Sequence, residues 1–187
     1  MFQKHAHKNF IVLEGGEGTG KTIQTKRLIE RLKRQGLRVW LTHEPGGTVP
    51  YGKKIREILI ENHGSKDIKL DPIAEFFLFM ADRAQHVPEI EKRLIMGEIV
   101  ISDRYKNSTG AYQGYARGLY SDPEEKKFFI AADTYARQGL IPGLTILLDQ
   151  DVAVGLRRKR SQEEYNRFEA ETIAFHRDVR QGFLNLM

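Results

Sequence analysis

Short apolar runs alternate along the chain with longer stretches in which apolar residues recur every three or four positions. The short runs have the length and composition of buried strands, and they cover residues 10–14, 37–42, 98–102 and 144–149. The longer stretches have the spacing of a helix face, and they cover residues 21–35, 52–62, 72–86 and 123–139. A last helical region follows Asp151, is interrupted around residues 157–166 and resumes as far as Leu186. This alternation predicts an α/β fold, in which helices cover both faces of a parallel sheet.

Three local features refine these boundaries. The pair Asp71-Pro72 is typical of a helix N-terminus, because aspartate caps the first turn and proline fits its first position. Pro88 lacks the backbone N–H that a helix interior requires, so we expect it to kink or restart the long helix. The polar residues before Phe10 predict a short disordered leader. His5 and His7 in this leader are possible metal ligands, although a polar tail is the favoured interpretation.

A glycine-rich segment, EGGEGTGKT, lies between the first strand and the first helix. It matches the pattern G-x-x-x-x-G-K-[ST] in the strand–loop–helix context that this pattern requires. A loop of this kind turns its backbone N–H groups inward around phosphate oxygens, and the helix N-terminus adds partial positive charge. The segment therefore predicts a nucleoside triphosphate site, formed by Gly15, Gly16, Glu17, Gly18, Thr19, Gly20, Lys21 and Thr22. Here Lys21 would reach the β- and γ-phosphates and Thr22 would bind Mg²⁺.

Two further segments carry residues suited to a second nucleotide. Asp103 and Arg104 directly follow the third strand, so they lie at the carboxyl edge of the sheet beside the glycine-rich loop. Asp103 is placed to hold a water bound to Mg²⁺, and Arg104 is placed to grip a phosphate with two hydrogen bonds. Phe79 and Arg83 are one turn apart on the long helix, so an aromatic ring and a guanidinium can together hold a base.

Composition narrows the class of protein. The chain has 187 residues, enough for one well-cored domain, and we expect a single domain over residues 1–187. The net charge of +5 suits an anionic ligand but is too small to require nucleic acid, and we expect no nucleic-acid partner. The absence of cysteine excludes disulfides and thiol chemistry. No apolar stretch approaches the about 18 residues of a membrane span, so we expect a cytoplasmic protein with no membrane partner.

Five segments occur in the order and spacing seen in bacterial-type thymidylate kinases, and the resemblance extends from Phe10 to about Phe183. They are GGEGTGKT, EPGGT, FMADRAQHV, DRYKNSTGAYQGYARG and NRFEAE. The resemblance implies a three-layer α/β/α fold of the P-loop NTPase class and transfer of the γ-phosphoryl group of ATP to dTMP. The family's sheet order is 2-3-1-4-5. The fifth strand has no counterpart here, so the expected order is 2-3-1-4, with residues 144–149 as an exposed edge strand.

The resemblance also implies roles for individual residues. In the acceptor site, Arg56 and Arg104 clamp the phosphate, and Glu44 lines the phosphate site. At the sugar, Glu17 meets the 3′-hydroxyl and Tyr112 crowds the 2′ position. At the base, Phe79 lies under thymine, Arg83 donates to its O4, and the base edge meets Thr109 and Gln113. A lid over residues 155–166 supplies positive charge to the transferring group, with Arg158 and Arg160 as candidates beside the catalytic Lys21, Arg104 and Glu17. Glu169 approaches Mg²⁺ together with Thr22 and Asp103.

Two alternatives to thymidylate kinase remain at this point. One is a kinase for UMP, CMP or AMP, and the other is an inactive nucleotide-binding module.

We also expect a homodimer formed through helices, because the helix over 72–86 is apolar over more of its circumference than one sheet face requires. Its apolar side chains are Ile73, Phe76, Phe77 and Met80. For the first pair of phenylalanines, Phe76 and Phe77, packing in the core is the favoured interpretation.

Overall fold

A computed structural model describes residues 5–60, 70–160 and 167–187, without the side chain of Arg160. Its described residues contain one parallel sheet, formed by β1 (His5–Glu14), β2 (Val39–His43), β3 (Ile99–Asp103) and β4 (Leu140–Leu147). The strands lie in the order β2-β3-β1-β4, which confirms the predicted sheet. Strand β4 lies at the edge of the sheet among the described residues, as expected.

The helices follow the strands in alternation. Their bounds are α1 (Lys21–Arg34), α2 (Tyr51–Ile60), α3 (Pro72–Ile95), α4 (Lys106–Thr109), α5 (Pro123–Ala136), α6 (Val152–Arg160) and α7 (Ile173–Leu186). A π-helix (Gly110–Ala116) continues α4 directly. The predicted cap at α3 is confirmed, since the Asp71 side chain accepts hydrogen bonds from the backbone N–H groups of Ile73 and Ala74. None of the described helices is long and apolar enough to cross a membrane.

The first strand is longer at its N-terminus than the sequence pattern predicts. Residues 5–7 pair with residues 140–142 of β4, and the backbone N–H of His5 donates to the carbonyl of Gly139. The predicted disordered leader is therefore wrong for residues 5–9. Their side chains show no pattern of apolar residues, but pairing with a neighbouring strand satisfies their backbone hydrogen-bonding groups. Across the described part of the chain, no group of three or more metal-ligating side chains is found.

Helix α3 runs through Pro88 to Ile95 without a restart. Proline at this position leaves the carbonyl of Ala84, four residues earlier, without its helical donor. The side-chain amide of Gln138 donates a hydrogen bond to that carbonyl over 3.4 Å. The restart expected at Pro88 is therefore wrong, since a residue distant in sequence replaces the missing helical donor.

Both faces of the sheet are buried. Successive strand residues point to opposite faces, and the neighbours Val12 and Leu13 are both buried, as are Val100 and Ile101. On one face, Phe10, Val12 and Val100 form a cluster with apolar residues of α3. This arrangement confirms the predicted α/β class, and it brings the carboxyl ends of β1, β2 and β3 together at one edge.

The C-terminal region differs from the expected pattern in one boundary. The interruption was expected to begin near residue 157, whereas α6 continues to Arg160. Residues 161–166 of the expected lid, and residues 61–62 at the expected end of α2, lie outside the described residues. The single domain with a lid over about 155–166 stays a prediction.

Candidate active site

A cleft of about 910 Å³ opens at the carboxyl edge of the sheet. It is lined by every residue that the resemblance assigned to the acceptor nucleotide, and by residues 17–22 of the glycine-rich loop. Asp103, Arg158 and Glu169 also line it. The structure thus brings the predicted donor and acceptor residues into one cavity, although their positions lie far apart in the sequence.

Gly15 and Gly18 are positions at which the glycine-rich loop requires glycine. Gly15 has φ 146° and Gly18 has φ 67°, values that favour glycine. A Cβ atom at Gly15 would also overlap the carbonyl of Leu148, and one at Gly18 would overlap the backbone of Gly155 in α6. The loop is therefore folded tightly against its surroundings, and only glycine permits this approach.

Lys21 begins α1 and is bent back over the loop. Its Nζ donates to the carbonyls of Gly15 over 2.9 Å and Gly16 over 2.8 Å. Burial and the neighbouring charge of Arg104 lower the pKa of Lys21 to about 8, although the charge of Glu17 opposes this shift. The ammonium group still carries its proton at neutral pH, and phosphate oxygens can replace the loop carbonyls as its acceptors.

Arg104 connects the loop to the acceptor side of the cleft. Its φ of 73° is unusual for a residue other than glycine, which marks a backbone held in place by its surroundings. Its guanidinium donates to the carbonyl of Gly15, the hydroxyl of Ser108, the carboxylate of Glu17 and the hydroxyl of Tyr112. Burial alone would lower the pKa of Arg104, but its neighbours, Glu17 among them, raise it. Its charge is therefore permanent.

Glu17 is ionised for the complementary reason. Burial would raise its pKa, but the charges of Arg104 and Lys21 together with the hydrogen bond from Tyr112 bring it to about 2. The Tyr112 hydroxyl donates to Glu17 over 2.7 Å. Glu17, Arg104 and Tyr112 therefore form a fixed polar triangle between the glycine-rich loop and the predicted sugar site.

Arg83 is almost fully buried, with 1% of its surface exposed. Its Nε and Nη2 donate to the Glu44 carboxylate over 2.9 and 2.7 Å, and its Nη1 donates to Asp133 over 2.8 Å. Burial alone would lower the pKa of Arg83, but these two carboxylates raise it. Its Nη2 also donates to the Thr109 hydroxyl over 2.9 Å. Because a guanidinium has five N–H donors and these bonds use four of them, one N–H on Nη1 has no acceptor among the described residues.

Gln113 presents an acceptor to the same part of the cleft. Its amide nitrogen donates to the buried carboxylate of Glu75 over 2.7 Å, which fixes the orientation of the amide. Its Oε1 is buried and has no hydrogen-bond partner within the described ranges. The ring of Phe79 lines the same cleft, 6.2 Å from the ring of Phe168. The cleft thus combines an aromatic wall with one free donor and one free acceptor.

The remaining acceptor-side residues come from the segment after β2. The Arg56 guanidinium donates to the carbonyl of Pro45 over 2.9 Å. Glu44 accepts from Arg83, and its second oxygen lies 3.1 Å from Nδ1 of His86. Burial would raise the pKa of Glu44, but the charge of Arg83 and the contact with His86 lower it. Glu44 therefore orients Arg83 as an ionised carboxylate.

The predicted metal ligands differ in their partners. Oδ1 of Asp103 is buried and has no hydrogen-bond partner among residues 5–60, 70–160 and 167–187. An orphaned carboxylate oxygen beside the glycine-rich loop fits a cation or its bound water. Thr22 is exposed at the cleft. Glu169 is paired with Lys159, whose Nζ lies 2.9 Å from it. Asp103 and Thr22 thus fit Mg²⁺ or its bound water, whereas Glu169 neutralises a cation of α6.

Helix α6 carries the predicted lid arginines. Arg158 lines the cleft, and its Nη1 donates to the side chain of Gln150 over 3.3 Å. The backbone of Arg160 ends α6, and its side chain lies outside the described part of the structure. The structure therefore places Arg158 at the cleft and leaves the position of the second guanidinium as a prediction.

Several functional neighbours were missed by the sequence reasoning. Glu14, Glu75 and Asp133 hold site residues in place, and Phe168 lines the cleft beside Phe79. Glu14 adjoins the glycine-rich loop and Phe168 lies within NRFEAE, so their motifs could have indicated them. Nothing in the sequence pattern links Glu75 or Asp133 to the site, because their partners come from other helices.

The fold and the cleft together define a P-loop protein that binds a nucleoside triphosphate next to a second nucleotide. Comparison with known proteins specifies the family. The sequence model of thymidylate kinase matches residues 13–187. A thymidylate kinase of Carboxydothermus hydrogenoformans is 48% identical over 178 residues, covering 95% of this chain and 83% of the relative. A thymidylate kinase of Deinococcus radiodurans is 46% identical, covering 95% of this chain and 82% of the relative.

A solved structure agrees with these sequences. The crystal structure of thymidylate kinase from Ehrlichia chaffeensis superimposes with a TM-score of 0.71 at 30% identity, covering 97% of this chain and 83% of that one. The chain belongs to the thymidylate kinase family.

Proposed function

We propose that the chain is a dTMP kinase that transfers the γ-phosphoryl group of ATP to dTMP, giving dTDP and ADP in dTTP biosynthesis. One observation carries the choice of substrate: Arg83 and Gln113 present one free donor and one free acceptor beside an aromatic wall. Thymine has a carbonyl at position 4 and an N–H at position 3, which match that donor and acceptor. Cytosine has an amino group and a bare nitrogen at these positions, and neither matches.

We place the rest of dTMP along the cleft, from the base through the sugar to the phosphate. The base stacks on Phe79, and the hydroxyl of Thr109, which already accepts from Arg83, has its own hydrogen free to donate. The sugar lies against Tyr112 and Glu17, where an ionised carboxylate accepts from the 3′-hydroxyl. Arg104 then reaches the acceptor phosphate.

Arg56 is the second cation that we assign to this acceptor phosphate. Its guanidinium is held by the carbonyl of Pro45 and lines the same cleft as Arg104. Two arginines can bind a phosphate monoester through several charge-assisted hydrogen bonds, which fixes its position as well as neutralising its charge. Phosphoryl transfer depends on this positioning more than on a strong base.

ATP occupies the glycine-rich loop, with its phosphates on the backbone N–H groups and on Lys21. Thr22 and Asp103 would hold Mg²⁺, which supplies charge neutralisation to the triphosphate when it is bound. Lys21 and Arg104 both donate to the Gly15 carbonyl, over 2.9 and 3.0 Å. In our proposal, Lys21 neutralises the donor phosphates and Arg104 the acceptor phosphate.

The lid supplies further positive charge. Arg158 already lines the cleft, and Arg160 follows it on α6. We propose that residues 155–166 close over the two bound nucleotides and bring one of these arginines to the transferring phosphoryl. Closure also excludes water, and this favours transfer to dTMP over hydrolysis.

We further propose a homodimer and a cytoplasmic location. Phe76 is buried as predicted, and Met80 is buried as well, but core packing of Phe77 is wrong, since 49% of its surface is exposed. The Phe77 ring lies 6.3 Å from that of Phe128 on α5, which is also exposed. Together with Ile73, these side chains form an apolar face on α3 and α5 that a second copy of the chain would cover. A cytoplasmic location would place the enzyme with ATP and dTMP.

An ADP-release assay with dTMP, UMP, CMP and AMP tests the proposed activity. With Mg²⁺ and ATP, we expect turnover of dTMP well above that of the other three. Equal turnover of UMP and dTMP would refute the assignment of thymidylate as substrate. Release of no ADP with any of them would instead favour the inactive binding module.

A further inference from the structure

Glu14 is a buried carboxylate at the end of β1, with 1% of its surface exposed. Its Oε1 accepts from the backbone N–H groups of Tyr105 over 3.1 Å and Ser108 over 3.3 Å. Its Oε2 accepts from the hydroxyl of Ser108 over 2.5 Å. One carboxylate from the strand that enters the glycine-rich loop thus holds the first turn of α4, which begins the acceptor side of the cleft.

Ser108 connects this carboxylate to Arg104. Its hydroxyl hydrogen is donated to Glu14, so its oxygen lone pairs face other donors. Nη1 of Arg104 donates to that oxygen over 3.2 Å and to the carbonyl of Gly15 over 3.0 Å. The backbone N–H of Arg104 is fixed separately, by the carbonyl of Leu13 over 2.9 Å. The direction of the hydrogen bonds therefore runs from Arg104 through Ser108 to Glu14.

Folding stability does not account for a carboxylate at this position. Burial raises the pKa of Glu14 to about 7, although the hydrogen bonds from Ser108 and the charge of Arg104 lower it. A carboxyl whose pKa is raised on folding favours the folded state below its ordinary pKa, and this contribution is lost as the pH rises through the folded value. Near neutral pH, an ionised Glu14 therefore stabilises the folded state no more than a neutral amide at this position would.

We propose that Glu14 is a positioning residue for phosphoryl transfer, which acts through Ser108 to hold the guanidinium of Arg104 between the donor and acceptor phosphates. The carboxylate accepts the Ser108 hydrogen, and this leaves the Ser108 oxygen as an acceptor for Arg104. The inference rests on the proposed role of Arg104 in the kinase reaction.

Glu14→Gln is the sharpest variant for this test. The amide oxygen can still accept from the backbone N–H groups of Tyr105 and Ser108, while the amide nitrogen now faces the Ser108 hydroxyl as a donor. We expect kcat/KM for dTMP to fall at least about tenfold, while the midpoint of thermal unfolding does not fall. Ser108→Ala removes the same connection and should give a similar loss. Ser108→Thr, which keeps the hydroxyl, is the matched control and should retain activity within about threefold.

A double-mutant cycle distinguishes positioning from two independent defects. If Glu14 acts through Ser108, the double variant Glu14→Gln/Ser108→Ala has a kcat/KM within about twofold of the weaker single variant. Losses that multiply would overturn the inference, and so would wild-type kcat/KM in Glu14→Gln. If Glu14→Gln does not fold, the Ser108→Ala and Ser108→Thr pair decides: equal losses in both would overturn the inference.

Arg104→Ala tests the proposed role of Arg104, on which the inference rests. If that variant retains activity, the role of Arg104 fails, whereas loss in Arg104→Ala with normal activity in Glu14→Gln overturns this inference alone.

Discussion

Removal of the Arg83 guanidinium should destabilise the fold as well as the base site. In Arg83→Met, the buried Glu44 carboxylate, which is 4% exposed, keeps its contact with His86, and Asp133 keeps its ion pair with Arg137 over 2.9 Å. The variant still removes the cation that both carboxylates share, and loss of one partner from a buried ion pair costs about 3–5 kcal/mol. In a chain of this length, that lowers the unfolding midpoint by about 6–20 °C. Urea and thermal unfolding, followed by circular dichroism, measure both quantities.

Arg180→Met is the matched control for this prediction. Arg180 also donates two hydrogen bonds to one carboxylate, that of Asp149, over 2.7 Å each, but this pair is exposed to solvent. Water replaces the lost partner there, so we expect little change in unfolding. Equal, small effects of Arg83→Met and Arg180→Met would show that burial of Arg83 does not matter, and the reasoning about its carboxylates would be wrong.

Three further predictions concern the donor site, the lid and assembly. Lys21→Ala should lower turnover severely and leave dTMP binding largely intact, because the lysine faces the donor; calorimetry showing loss of dTMP binding with ATP binding retained would mean that the two sites are exchanged. The double variant Arg158→Ala/Arg160→Ala should lower turnover at least about tenfold with dTMP affinity little changed, and unaltered turnover would show that the lid contributes no charge. Light scattering at micromolar concentration should give a dimer mass that Phe77→Glu reduces to that of a monomer, whereas a monomeric wild-type chain would contradict the proposed dimer.

The sequence predicted those parts of the molecule that local patterns determine. The glycine-rich loop and the placement of Asp103 and Arg104 at one sheet edge follow from strand–loop–helix context, whereas the strand order was implied by the family resemblance, and the structure has them as expected. Phe79 and Arg83 both line the cleft because one helical turn separates them. In each case, residues close in sequence carry enough of the geometry.

The missed features depend on partners distant in sequence. The continuity of α3 through Pro88 relies on Gln138, and the N-terminal extension of β1 relies on pairing with β4. The buried partner of Arg83 on α5, Asp133, is fifty residues away along the chain. The π-helix after α4, in which the N–H of Arg117 donates to the carbonyl of Tyr112, has no signature in the apolar spacing. A single sequence does not show which distant donor meets which acceptor, so these features required the folded structure.

The most direct measurement of the central claim compares kcat/KM for dTMP and dCMP in the unmodified protein. These substrates share sugar and phosphate, so the comparison isolates the base that Arg83 and Gln113 read. Because Glu75 fixes the Gln113 amide, the site does not reverse its donor and acceptor to suit cytosine. Two mismatched buried groups cost about 1–3 kcal/mol each, so we expect dTMP to be preferred at least about 30-fold. Comparable kcat/KM values would contradict the account, since the donor and acceptor edge would then not select the substrate.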